Sequence, residues 1–131
     1  AGIAFGNTGV GAVHALSYPL GGCYHVPHGE ANYQFFTEVF RWYDAKNPSG
    51  EIADLNEFVC KRLGVDKNPY PALDELLGKL ISKSRLRVFG MKDSEIQEFT
   101  NSVLSTQQRL LANNYVPLSE NEIMEIYRKL Y

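Results

Sequence analysis

The stretch HALSYPLGGCYHVPHG, residues 14–29, holds all three histidines of the 131-residue chain together with Cys23, two prolines and three glycines. No Lys, Arg, Asp or Glu occurs before or within it, and the first charged side chain is Glu30. If His14 and His28 serve one ion, the chain cannot run between them as a single helix. At about 1.5 Å per residue a helix would hold them about 21 Å apart, whereas two nitrogens on one ion lie a few ångströms apart. Pro19 removes a helical hydrogen bond and Gly21-Gly22 offers a stop. The spacing therefore predicts helix, break, helix, with the break at Pro19–Gly22, and permits the outer histidines to share a site across the hairpin.

The surrounding sequence extends the helical pattern in both directions. Ile3, Phe5, Val10, Val13, Leu16 and Leu20, interleaved with small residues, predict a buried helix whose glycines allow close neighbours. A second helix is expected from Pro27-His28 to about Asp44, with Ala31, Phe35, Phe36, Val39, Phe40 and Tyr43 spaced three and four apart. Further helical spacings cover 51–63, closed by Gly64, then 71–83 and 93–111. Ser119 and Glu122 form a capping box ahead of Ile123, Ile126, Tyr127 and Leu130. No strand pattern occurs. The expected fold class is all-α, a bundle of six or seven helices in one domain, 1–131.

Composition narrows the function classes. A 44% hydrophobic, 21% charged chain with net charge -2 is globular and ill suited to a nucleic acid as main partner. The apolar N-terminal segment has no basic flank and is cut by glycines, so neither an export signal nor a membrane partner is expected. Cys23 and Cys60 are too few for a disulfide framework, which points to a reducing cytoplasm. The chain starts at Ala1 in apolar sequence with no polar lead-in, as a piece of a longer protein would. GNTGVG (6–11) has the wrong glycine spacing, and no strand before it, for a phosphate cradle. Lys79, Lys83, Arg85, Arg87 and Lys92 read as a solvated face, and Phe35, Phe36, Phe40, Trp42 and Tyr43 as core.

Spacing alone leaves two readings of the histidines open: a metal pair, His14 and His28, or an ordinary hydrogen-bonded core histidine beside a polar turn. The rival triad Cys23, His25 and His28 has zinc-type donors but no second half elsewhere in the chain. Two histidines are half a site. The remaining ligands must be later carboxylates or residues outside the chain.

The run AGIAFGNTGVGAVHALSYPLGGCYHVPHGEANYQFFTEVF closely resembles the metal-binding stretch of the iron-containing (group III) alcohol dehydrogenases: a small-residue helix, H-A-x-x-x-x-L-G, then P-H-G-x-A-N. The resemblance continues through IADLNEFVCKRLGVD, LRVFGMKDSEIQEF and PLSENEIMEIYRKLY, and so covers essentially the whole chain. It implies the C-terminal α-helical domain of that dehydroquinate synthase-like fold. It also implies a divalent ion, Fe2+ or Zn2+, acting as Lewis acid on a small-molecule alcohol or aldehyde, with hydride transfer to NAD or NADP. Within the family, the run is most similar to members that oxidise a short hydroxy acid.

By position, His14 and His28 match two of the family's metal ligands. The other two, an Asp and a His, and the N-terminal nucleotide-binding domain would lie upstream of Ala1, so the chain alone is expected to be inactive. The complete enzyme could assemble as a homo-oligomer. Tyr18 stands where many members carry a histidine near the nicotinamide and is a catalytic candidate; His25 is a candidate for contact with cofactor or substrate. The rival from another class is a self-contained helical interaction module.

Overall fold

Helical periodicity accounts for nearly every element. The computed structural model describes residues 2–131, the side chains of Ala4, Phe5 and Asn7 apart, and no strand occurs among them. The described helices are α1 (Gly2–Thr8), α2 (Ala12–Tyr24), α3 (His28–Lys46), α4 (Glu51–Leu63), α5 (Tyr70–Gly78), α6 (Ile96–Thr106), α7 (Gln108–Leu111) and α8 (Glu120–Leu130). Short 3-10 turns occupy Leu86–Phe89 and Asp93–Glu95. The chain divides into two compact units: residues up to Phe36 with Ser84–Tyr131, and Thr37–Lys83.

In the first unit the core gathers Ala12, Ala15, Leu16 and Leu20 of α2 with Phe35, Phe99, Val103, Ile123, Ile126 and Tyr127. Tyr127, fully buried, donates its hydroxyl to the Leu16 carbonyl at 2.7 Å, and its ring meets Phe35 and Phe99 edge-on. Burial pushes its phenol well above the ordinary range, so it serves as a fixed donor. The N-terminus of α2 is capped from far along the chain: the Ala12 amide donates to Asn114 Oδ1 at 2.7 Å. Ser119 and Glu122 form the expected capping box at the start of α8.

The second unit is organised by Asp74. Thr37 Oγ1 donates to its Oδ1 at 2.7 Å, Arg41 Nη2 reaches Oδ2 at 2.5 Å, and Lys83 Nζ donates to Thr37 Oγ1 at 2.5 Å. Burial alone would push the Asp74 carboxyl up, but Thr37, Arg41 and Lys83 outweigh it and hold the group below its usual value. At Lys83 the balance runs the other way: burial lowers the ammonium despite Asp74. Lys83 is thus not on the solvated face expected of the basic stretch. Phe35 and Tyr43 are core as expected, whereas Phe36, Phe40 and Trp42 are half-buried.

The first expected helix is not one buried rod. It is interrupted between Thr8 and Ala12, Ile3 is 87% exposed, and a methyl group on Gly2 or Gly6 would meet nothing within 4 Å. Those two glycines make no close packing; Phe5, expected beside them in the core, has its side chain outside the described residues. Nor does Pro19 break the hairpin, because α2 runs through Pro19, Gly21 and Gly22 to Tyr24. An interior proline costs about 3 kcal/mol, but the buried Leu16 and Leu20 each contribute about 1.5–3 kcal/mol, which offsets it.

The turn comes later, where His25 takes φ 55° and Pro27 disfavours helix at Val26. The helix expected over 71–83 ends at Gly78, since Leu80 and Ile81 stay exposed and bury no face to sustain it. The one expected over 93–111 begins as a 3-10 turn and divides at Gln107, whose φ of -110° is not helical. Among the described residues no helix is long and apolar enough to cross a membrane.

Candidate metal centre

All of the site's side chains lie in the first unit, on the facing ends of α2 and α3. His14 lies in the first turn of α2, Tyr18 one turn further along the same face, and His28 opens α3. The His25–Pro27 turn brings His28 back beside His14, with ring centroids 5.2 Å apart and planes tilted by 52°. Tyr18 lies against the other side of the arrangement, its ring stacked on His28 at 6.2 Å and its side chain partly open to solvent. His14 is half-buried and its pKa is lowered, first by burial and then by the neighbouring charge of His28. Both causes favour the neutral imidazole, which is the form that ligates a metal.

Two nitrogens bound to one ion at about 2.0–2.1 Å each are at most about 4.2 Å apart. Imidazole rings with centroids 5.2 Å apart meet that limit once the width of each ring is counted. The pair therefore fits a divalent ion of zinc or iron type, as two ligands. Among the described residues no group of three or more His, Cys, Asp or Glu side chains converges as a metal site. That disposes of the Cys23, His25, His28 triad: Cys23 is an exposed free thiol, and His25 is exposed at the end of α2. Among the described residues no carboxylate from the later helices completes a three-ligand group with His14 and His28.

Two polar residues of the site escaped the sequence reading. Ser17, buried on α2, lies 2.6 Å from Asn32 Oδ1 and 3.0 Å from the His14 carbonyl. Asn32, one turn beyond His28 on α3, places its Nδ2 at 3.1 Å from His28 Nε2. The available signal was positional: a serine three residues after one histidine and an asparagine four after the other share their helix faces.

Comparison with known proteins supplies the context of this site. The profile of the Fe-containing alcohol dehydrogenase family, C-terminal part, matches residues 1–131. The 4-hydroxybutyrate dehydrogenase of Clostridium kluyveri is 58% identical over 132 residues, covering 100% of this chain and 36% of that protein. Long-chain-alcohol dehydrogenase 1 of Geobacillus thermodenitrificans is 31% identical over 137 residues, covering 100% of this chain and 34% of its own length. The crystal structure of an archaeal halo-thermophilic Red Sea brine pool alcohol dehydrogenase superposes with a TM-score of 0.80 at 21% identity, over 94% of this chain and 33% of that one. This last likeness concerns the fold alone. The chain spans about a third of the length of the curated relatives it matches.

Proposed function

The chain belongs to the Fe-containing alcohol dehydrogenase family, and on that premise we propose that residues 1–131 form the metal-binding helical domain of a nicotinamide-dependent alcohol dehydrogenase. The substrate we propose is 4-hydroxybutyrate, oxidised to succinic semialdehyde; the 58% identity to the Clostridium kluyveri enzyme supports it. The observation that carries the reading is the His14–His28 pair, rings 5.2 Å apart with His14 biased to its neutral form.

When bound, a divalent iron or zinc ion supplies Lewis acidity at the alcohol oxygen, and NAD or NADP takes up the hydride. The chain's own residues hold and orient. His14, backed by the apolar core behind α2, presents a neutral ring from a rigid helix. His28 presents the second ring from the first turn of α3. We assign to Tyr18, stacked beside His28 and partly open to solvent, a hydrogen bond donated to a polar group of the substrate.

His25 is the residue we assign to contact with cofactor or substrate. At φ 55° it forms the left-handed C-cap that ends α2, at a conformational cost of order 1 kcal/mol, and its exposed ring stands at the turn that leads to His28. His25→Gly would relieve the strain. If His25 contacts the cofactor, that variant of the complete enzyme melts higher while its KM for nicotinamide rises; an unchanged KM rejects the assignment.

With two imidazoles as its share of the ligands, the 131-residue chain by itself is expected to bind divalent metal weakly and to turn over no alcohol. Protons compete for the same nitrogens, so metal affinity falls with pH; because burial lowers the His14 pKa, His14 gives way only below the ordinary range near 6.5. The deciding experiment is metal analysis and dehydrogenase assay of the complete enzyme carrying His14→Ala or His28→Ala. Each variant should lose bound metal and activity together. Retention of both would sink the proposal, as would robust metal-dependent turnover by the isolated chain.

A further inference from the structure

Burial accounts for α2 only as far as Leu20. Beyond it the helix runs through Gly21, half-buried, and Gly22 and Cys23, both exposed, and Pro19 brings no amide for the Ala15 carbonyl. Glycine is the poorest helix former after proline, and helices commonly end at one. Local chemistry would therefore stop the helix near Leu20, yet it continues for one more turn to Tyr24. The side chain at that last position is held from outside the helix.

Tyr24 sits in a seat built by residues 90–99. Its hydroxyl donates to Glu95 Oε2, an oxygen that also accepts the Lys92 amide at 2.6 Å. An ionised carboxylate has only lone pairs to offer, so the direction of the bond is fixed, and the two donors hold the Glu95 carboxyl below its usual value. One side of the ring lies against Gly90, where φ is +106° and a methyl group would come within 3.1 Å of two ring carbons. Phe99 packs beside it, with centroids 6.3 Å apart and planes tilted by 52°. The seat is itself anchored, since Leu86, Met91, Ile96 and Phe99 are buried. All of these residues belong to the stretch LRVFGMKDSEIQEF, 86–99, which contributes neither of the candidate ligands.

We propose that Tyr24, seated on Gly90, Glu95 and Phe99, is a positioning residue that carries α2 past its breakers and so fixes the turn that brings His28 beside His14. Only His25, Val26 and Pro27 separate Tyr24 from His28. Were the helix to end at Leu20, residues 21–24 would join that link, exchanging a helical rise of about 1.5 Å each for an extended reach of up to about 3.5 Å each. The slack gained, up to about 8 Å, is about twice the 4.2 Å that two nitrogens on one ion allow. The consequence for a metal rests on the function proposed above; the helix end and the pairing of the rings do not.

The test is NMR of the labelled chain carrying Tyr24→Phe, which keeps the ring and removes the hydroxyl bond, or Tyr24→Ala, which empties the seat. In the wild-type chain residues 21–24 should show helical Cα shifts and protected amides, and the His14 and His28 rings should give nuclear Overhauser contacts. Tyr24→Phe should lower protection at 21–24 about tenfold and leave 12–20 unchanged. Tyr24→Ala should abolish the helical shifts at 21–24 and the contacts between the histidine rings. It should also weaken zinc binding about tenfold, as when the paired arrangement is populated about a tenth of the time. An added methyl group on Gly22 meets nothing within 4 Å, and alanine favours helix there about fivefold, so Gly22→Ala in the Tyr24→Phe background should recover much of the lost protection.

Unchanged helical shifts at 21–24 and unchanged ring contacts in Tyr24→Ala would overturn the proposal, as would a frayed helix end with His14 and His28 still in contact. If Tyr24→Ala does not fold, wild-type protection at 21–24 in Tyr24→Phe overturns it alone. A wild-type chain that shows the ring contacts but takes up no zinc sinks the metal reading instead, and loss of those contacts in Tyr24→Ala then still supports the positioning.

Discussion

Asn114→Ala removes the acceptor that caps α2, the helix carrying His14, from 102 residues away. Gly11, at the N-cap position, has no side chain to offer, and the bond from Ala15 to the Gly11 carbonyl is the first backbone turn of the helix. The Ala12 amide thus depends on Asn114 Oδ1 at 2.7 Å, and because Ala12 itself is 0% exposed, water replaces that acceptor poorly. A buried donor left without an acceptor costs about 1–3 kcal/mol, and loss of an N-cap side chain costs about 0.5–2 kcal/mol. The overlap, about 1–2 kcal/mol, is the expected destabilisation. Asn114→Asp keeps an acceptor at the positive end of the helix but buries a second carboxylate oxygen where the solvent-shielded Nδ2 lies, so its stability should fall between that of the alanine variant and wild type.

Urea denaturation of the chain at neutral pH reads the difference directly. With a slope of about 2 kcal/mol per molar, the alanine variant should shift its midpoint down by about 0.5–1 M. Native-state hydrogen exchange locates the effect: the Ala12 amide should lose protection in Asn114→Ala and keep it in Asn114→Asp. A midpoint equal to wild type, with Ala12 still protected in the alanine variant, would refute the cap and the energetic weight placed on it.

At Gly90, φ is +106° and an added methyl group would lie 3.1 Å from the ring of Tyr24, which is bound through its hydroxyl to Glu95. Gly90→Ala should therefore cost about 1–3 kcal/mol and lower the melting temperature by several degrees in calorimetry, whereas an unshifted melt would show that the ring yields freely. That same hydroxyl bond to Glu95 leads the causes that push the Tyr24 phenol up to about 12, so the tyrosine should titrate late in ultraviolet difference spectra. Asp74→Asn leaves Arg41 and Lys83 without their shared carboxylate and should cost about 1–3 kcal/mol. Because the folded carboxyl lies below its ordinary 3.8, its contribution is present above that value and lost as the pH falls through the folded value. Urea midpoints should drop below about pH 4 in the wild-type chain and change less in Asp74→Asn; parallel curves would contradict the assignment.

Much of the fold was legible because helices are written in local spacing. The capping box at Ser119 and Glu122, the closure of α4 at Gly64, and the start of α3 at His28 rest on contacts within four residues. What misled was likewise local: Pro19, Gly21 and Gly22 are the conspicuous helix breakers, yet α2 continues through them because its opposite face is buried. The exposure of Ile3 shows the converse, an apolar residue that gains nothing from burial in its segment.

The sequence by itself determined the helical class, through residue spacing, and the need for a turn if His14 and His28 are to share an ion, through helical rise; its resemblance to a known family singled out those two histidines as the candidate ligands. Only the tertiary structure decided where that turn falls, that His14 and His28 meet while Cys23 and His25 stay apart from any third ligand, and that Asn114 caps α2. It also decided that Ser17 and Asn32 join the site. Each of these depends on which side chain arrives from a distant part of the chain, and periodicity, being a property of neighbours, carries no record of it.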